Sequence, residues 1–172
     1  MAAMNLARSV LEAARARGLR LALAESCTGG LIAAALTDIP GSSDVVECGF
    51  VTYSNDSKAR LLGVSRKSLA RFGAVSREVA EAMAAGALAR TGAGISVAVT
   101  GIAGPGGGSR GKPEGRVWFA LADARGNVTA QLRDFGAPGR REVRALARDH
   151  ALAMLLGAIT AHSPTGQDEQ GD

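Results

Sequence analysis

The sequence predicts an α/β protein, a three-layer α/β/α sandwich with a mixed sheet. Short β-rich apolar runs alternate with stretches of helical periodicity, Gly126-Asn127 joins the last two runs as a hairpin turn, and a long helical stretch closes the chain. Alternating strands and helices build parallel neighbours, whereas a hairpin is antiparallel, so the sheet is mixed.

Leu6, Val10 and Leu11 share one face of a first helix that ends near Gly18. A strand follows over 19–25, then a helix opened by Gly29-Gly30. The cluster Asp38-Ile39-Pro40-Gly41-Ser42-Ser43 is a turn into a strand over 45–53. Ser54 or Asn55 caps a short helix to Leu62 that Gly63 ends, Ser65 caps another to Phe72, and Ser76 begins a longer one lined by Val79, Met83 and Leu88. Residues 95–100 read as a central strand before the loop 101–115. Strands over 117–122 and 128–135 form the hairpin, and a helix over 139–159 ends a single domain spanning 1–162. The polar segment 163–172 is expected to be a disordered tail.

A chain of 172 residues, 47% hydrophobic and 21% charged, is long enough for one well-filled core. Its longest apolar stretch, 151–161, falls short of the roughly 18 residues that suggest a membrane span, so no membrane partner is expected. The net charge is +4, but the seventeen arginines are scattered and the only tyrosine and tryptophan lie apart, which gives nucleic-acid binding little support. Cys27 and Cys48 form neither a disulfide framework nor, with His150 and His162, a zinc-ligand pattern, so a reducing cytoplasm is the expected compartment. The expected assembly is a homo-oligomer, with a dimer as its leading form.

Chemistry concentrates in Ala24-Glu25-Ser26-Cys27-Thr28-Gly29-Gly30, where a strand turns into a helix. Such a junction holds a hydroxyl beside backbone N–H groups that lack intrahelical partners, suited to a phosphate or to an oxyanion. Ser26 reads as a nucleophile or as a helix cap, and Cys27 as a rival nucleophile or an inert buried thiol. A serine nucleophile needs a base, and histidine is nearly absent. Arginine cannot serve, whereas a desolvated lysine can, and Lys58 is one of only three lysines. It follows the sole tyrosine in Tyr53-Ser54-Asn55-Asp56-Ser57-Lys58, the candidate activating segment; the competing reading pairs a solvated Lys58 with Asp56. A second strand-end loop, Thr100-Gly101-Ile102-Ala103-Gly104-Pro105-Gly106-Gly107-Gly108, lets backbone N–H groups approach an anion. It matches neither a Walker A loop nor a dinucleotide fingerprint. Two such loops at strand ends are where α/β sheets bind ligands.

These segments, with Gly49-Phe50-Val51-Thr52-Tyr53-Ser54-Asn55 and Gly73-Ala74-Val75-Ser76, resemble the CinA C-terminal domain family, whose active members are nicotinamide-nucleotide amidohydrolases. The motifs stand in the family's order and cover about residues 4–161. The resemblance implies hydrolysis of the carboxamide of nicotinamide mononucleotide to the nicotinate nucleotide and ammonia, without a metal or organic cofactor. By motif, Ser26 is the implied nucleophile, with Lys58 and Tyr53 activating it and passing protons. Thr28, Gly29 and Gly30 offer helix-start donors, Ser43, Thr100, Gly101 and Gly104 line the nucleotide site, and Arg140, four residues before Arg144, meets the phosphate. Glu114 stands where relatives commonly have valine, and Gly139 where an aspartate is frequent. The competing function class is a non-catalytic sensor of nucleotide phosphates built on the same loops.

Overall fold

Glycines and serines divide the chain. Gly18 (φ 61°), Gly63 (φ 71°) and Gly92 (φ 66°) follow helix ends in the left-handed conformation that costs glycine no steric clash. Ser54 and Ser76 cap helix starts by accepting from the N–H groups of Ser57 and Val79. A computed structural model describes residues 2–161. The elements are α1 (Ala2–Ala16), β1 (Leu21–Glu25), α2 (Leu31–Thr37), a 3₁₀ turn (Ser42–Asp44), β2 (Val46–Val51), α3 (Asn55–Leu62), α4 (Arg66–Phe72), α5 (Arg77–Thr91), β3 (Ile95–Gly101), β4 (Arg116–Asp123), β5 (Val128–Asp134) and α6 (Arg140–Ala161). The tail expected over 163–172 lies outside the described residues, as does His162. Among the described residues no helix is long and apolar enough to cross a membrane.

The sheet order is β2-β1-β3-β4-β5, with β2, β1 and β3 parallel and β4 and β5 antiparallel to their neighbours. The expected mixed sheet is therefore present, and β3 is its central strand. Leu21, Leu23, Ile95, Val97, Val99 and Phe119 point into the layer of α1, α2 and α6, while Ala22, Ala24, Ala98, Ala120 and Ala122 face α5. The large side chains fill one layer, each contributing about 1.5–3 kcal/mol when fully buried. The alanines let α5 lie close, and Ser96 of β3 donates to the Ala84 carbonyl of that helix at 2.7 Å. Gly86 of α5 is packed so tightly on α3 that a Cβ there would sit 1.9 Å from the Leu62 carbonyl oxygen. The helix carrying Lys58 is thereby held close against α5.

One boundary matters for function. The strand expected over 45–53 ends at Val51, and its continuation is a buried Thr52, whose N–H donates to the Glu25 carbonyl, then an exposed Tyr53. The chain leaves the sheet there and returns through α3 toward the end of β1.

Candidate active site

Ser26 is the first residue beyond β1, and its N–H donates to the Val99 carbonyl at 3.0 Å, extending the β1–β3 ladder by one step. Its hydroxyl meets Lys58, which is 1% exposed despite its charge type. Lys58 sits in the first turns of α3, whose start is fixed by the reciprocal Ser54–Ser57 capping box. Its Nζ donates to Ser26 Oγ at 2.9 Å, to the Thr52 carbonyl at 2.7 Å and to the Tyr53 carbonyl at 3.4 Å. None of these acceptors is an anion. Asp56, the alternative partner considered from sequence, is instead held by Arg66 at 2.6 Å and Arg60 at 3.5 Å. Burial without a counter-ion pushes the Lys58 pKa down from 10.5 to about 8.

Glu25, to which sequence reasoning gave no role, ends β1 fully buried. Its carboxylate accepts from the N–H groups of Gly30 (2.9 Å), Ile32 (3.2 Å) and Ala33 (2.9 Å) at the start of α2. An acid closing an otherwise apolar strand was the available signal. The Gly29 N–H donates to the Ser26 carbonyl and that of Leu31 to Thr28. The Gly29 and Gly30 N–H groups, expected as donors to substrate, are thus bonded within the turn, to the Ser26 carbonyl and the Glu25 carboxylate. Thr28 is fully buried, and its hydroxyl has no hydrogen-bond partner among the described residues. Cys27 is also buried, and desolvation pushes its thiol up to about 12, making it a poor nucleophile at neutral pH.

The second loop begins where Thr100, at the end of β3, donates its hydroxyl to the Ala74 carbonyl at 2.8 Å. Gly101 lies so near β4 that a Cβ would approach the Arg116 carbonyl oxygen to 2.8 Å. Gly104 (φ 72°) packs against Glu114, whose carboxylate accepts from the Gly106 N–H at 3.0 Å. Arg140, opening α6, donates to the Gly104 carbonyl at 3.0 Å and to the Tyr53 hydroxyl at 2.5 Å, so it bridges the second loop and the segment that follows β2. Tyr53 is 58% exposed, and its phenol meets Arg140 rather than Lys58 or Ser26. Lys58 meets the Tyr53 backbone carbonyl, while the phenol stands on the Arg140 side of the site.

Ser43 is not brought to this site. It lies in the 3₁₀ turn before β2, where its carbonyl accepts from Arg20, and β2 starts beside Leu21 at the beginning of β1. Parallel strands put that turn at the end of the sheet opposite Ser26, roughly 15 Å away at about 3.3 Å per residue. Arg144, noted in the sequence only as part of a pattern, does reach the site: it donates to the Cys27 carbonyl at 3.1 Å and the Thr28 carbonyl at 2.9 Å.

The arrangement offers a hydroxyl, an amine whose pKa of about 8 lets it lose its proton near neutrality, and a guanidinium between Gly104 and Tyr53. The profile of the CinA C-terminal domain matches residues 3–159. Nicotinamide-nucleotide amidohydrolase PncC of Escherichia coli strain K12 is 49% identical over 152 residues, 88% of this chain and 92% of that protein. A CinA-like protein of Akkermansia muciniphila is 46% identical over 157 residues, 91% of this chain but 38% of that longer protein. The crystal structure of competence/damage inducible protein CihA from Agrobacterium tumefaciens superposes with a TM-score of 0.90 at 51% identity, covering 93% of this chain and 96% of that one. Agreement over nearly the whole described chain, in sequence and in backbone, has one conclusion: the chain belongs to the CinA C-terminal domain family.

Proposed function

We propose that the chain hydrolyses the carboxamide of nicotinamide mononucleotide to nicotinate mononucleotide and ammonia, as an amidase of pyridine-nucleotide recycling. The observation that carries this reading is the 2.9 Å contact between Ser26 Oγ and a buried Lys58 that has no counter-ion among the described residues. The similarity to the E. coli amidohydrolase supports the choice of substrate.

As the neutral amine, Lys58 accepts the Ser26 proton while Oγ attacks the carboxamide carbon, and the C=O electron pair moves onto oxygen. When that pair returns, the C–N bond breaks, and the proton held on Lys58 goes to the departing nitrogen, which leaves as ammonia. The nicotinoyl ester on Ser26 is then hydrolysed by water that gives its proton to Lys58, and Ser26 recovers the proton as its oxygen leaves. Arg140 exchanges its neutral acceptors, Tyr53 Oη and the Gly104 carbonyl, for the phosphate, a charge-assisted pairing that favours the nucleotide over free nicotinamide. Thr100, Gly101 and Gly104 form the wall between these ends. The cytoplasm, which keeps both cysteines reduced, and a homodimer complete the reading; sedimentation measures the latter.

The test is ammonia release from purified protein given nicotinamide mononucleotide, with Ser26→Ala as control. Turnover in the wild type alone supports the proposal. Stoichiometric binding without ammonia assigns the chain to the sensor class instead.

A further inference from the structure

The turn that carries Ser26 is held from two sides. Beneath it the Glu25 carboxylate takes the N–H groups of Gly30, Ile32 and Ala33. From α6 the Arg144 guanidinium takes the carbonyls of Cys27 and Thr28, and a Cβ at Gly29 would stand 3.1 Å from its Nη2. A trans peptide is planar, with C=O and N–H pointing opposite ways, so fixing one fixes the other. Holding the Cys27 carbonyl therefore aims the Thr28 N–H. Holding the Thr28 carbonyl aims the Gly29 N–H, which donates to the Ser26 carbonyl at 3.0 Å and so aims the Cys27 N–H in turn. One side chain thus orients three consecutive peptides.

The two amides left over are the informative ones. Among the described residues no oxygen accepts from the Cys27 or Thr28 N–H; both lie against the Cys27 sulfur, a weak acceptor. Every other backbone N–H of the turn is bonded to a carbonyl or to Glu25. Preoriented N–H groups held by nothing stronger than a sulfur are what a developing oxyanion requires, and they are most effective when they need not reorganise.

We propose that Arg144 is a positioning residue for the amidase reaction, orienting the Cys27 and Thr28 N–H groups to stabilise the oxyanion formed when Ser26 attacks. The proposal rests on the amidase reading for its chemistry, but the orientation itself is independent of substrate. Arg144 differs in this from Arg140, which meets the far end of the nucleotide: one acts on the chemical step, the other on binding.

The experiment compares wild type, Arg144→Ala, Arg144→Lys and Arg140→Ala in steady-state kinetics and in amide hydrogen exchange resolved by NMR. Arg144→Ala should lose about 100-fold in kcat with KM within about threefold, the pattern of an interaction expressed in the transition state. Added guanidinium ion should restore part of that kcat, and Arg144→Lys, which offers no planar fork, should recover less than the parent. Exchange at Cys27 and Thr28 should rise at least about tenfold in Arg144→Ala while the Ile95–Gly101 strand keeps its protection. If Arg144→Ala does not fold, Arg144→Lys carries the same comparison. A change confined to KM makes Arg144 a substrate ligand and overturns the proposal, as does unaltered exchange at the two amides. Should the wild type release no ammonia, the amidase reading falls, and the exchange result alone decides whether Arg144 orients the turn.

Discussion

Lys58 Nζ lies 2.9 Å from Ser26 Oγ although they are 32 positions apart, and among the described residues the buried lysine has carbonyls and a hydroxyl as its polar partners. Desolvation disfavours the ammonium form and brings the pKa to about 8, so a useful fraction of the amine is neutral near physiological pH. The base form increases as pH rises. Activity should therefore climb about tenfold per unit below pH 8 and level off above it, read from kcat/KM across pH 6–10. Lys58→Arg, permanently charged, should lose roughly 100- to 10,000-fold in kcat at every pH. A flat profile in the wild type would remove Lys58 as the base.

Ser26→Ala should abolish ammonia release while leaving nucleotide binding measurable by calorimetry, because it deletes the nucleophile and little else. Cys27→Ala should retain kcat within a few-fold, since a thiol held up to about 12 is not a thiolate at neutral pH. Activity in the first variant with none in the second would exchange their roles.

Arg140→Ala should raise KM for nicotinamide mononucleotide at least about tenfold and leave the slow reaction of free nicotinamide unchanged, since only the nucleotide carries the phosphate. Tyr53→Phe should change kcat less than about fivefold, its hydroxyl being bonded to Arg140 and not to the Lys58 amine. A Tyr53→Phe enzyme as impaired as Lys58→Arg would restore the phenol to the proton path.

Glu25→Gln replaces an acceptor of three N–H groups by an amide that brings its own donors into the same buried space. The expected cost is about 1–3 kcal/mol in urea unfolding, with faster exchange at the start of α2. A variant as stable as the parent would show that those N–H groups find water without penalty.

Much of the fold was legible because its signals are local. Apolar runs, serine caps and glycines at φ near 60–70° each act within one turn of chain, so Gly18, Ser54, Gly63 and Ser76 mark helix ends in sequence as they do in space. The nucleophile turn and the rarity of lysine likewise pointed to Ser26 and Lys58. Ser43, an expected ligand, lies away from the site for a reason the chain's order does not contain. Ser43 and Tyr53 stand ten residues apart, but β2 runs between them, so about 20 Å of extended chain puts one at each end of the sheet.

The pattern of small, apolar and capping residues determined the α/β layers, the mixed sheet and the chemistry available at the end of β1. Tertiary packing determined how that chemistry is arranged: it buried Lys58 against Ser26 and left Asp56 to Arg60 and Arg66, turned the Tyr53 phenol to Arg140, and set Glu25 and Arg144 on opposite sides of the Ser26 turn. Burial and hydrogen-bond competition depend on which groups meet across distant segments. A carboxylate five residues from Gly30 can consume its N–H, and a guanidinium 117 residues from Cys27 can claim its carbonyl, only once the sheet has placed them together.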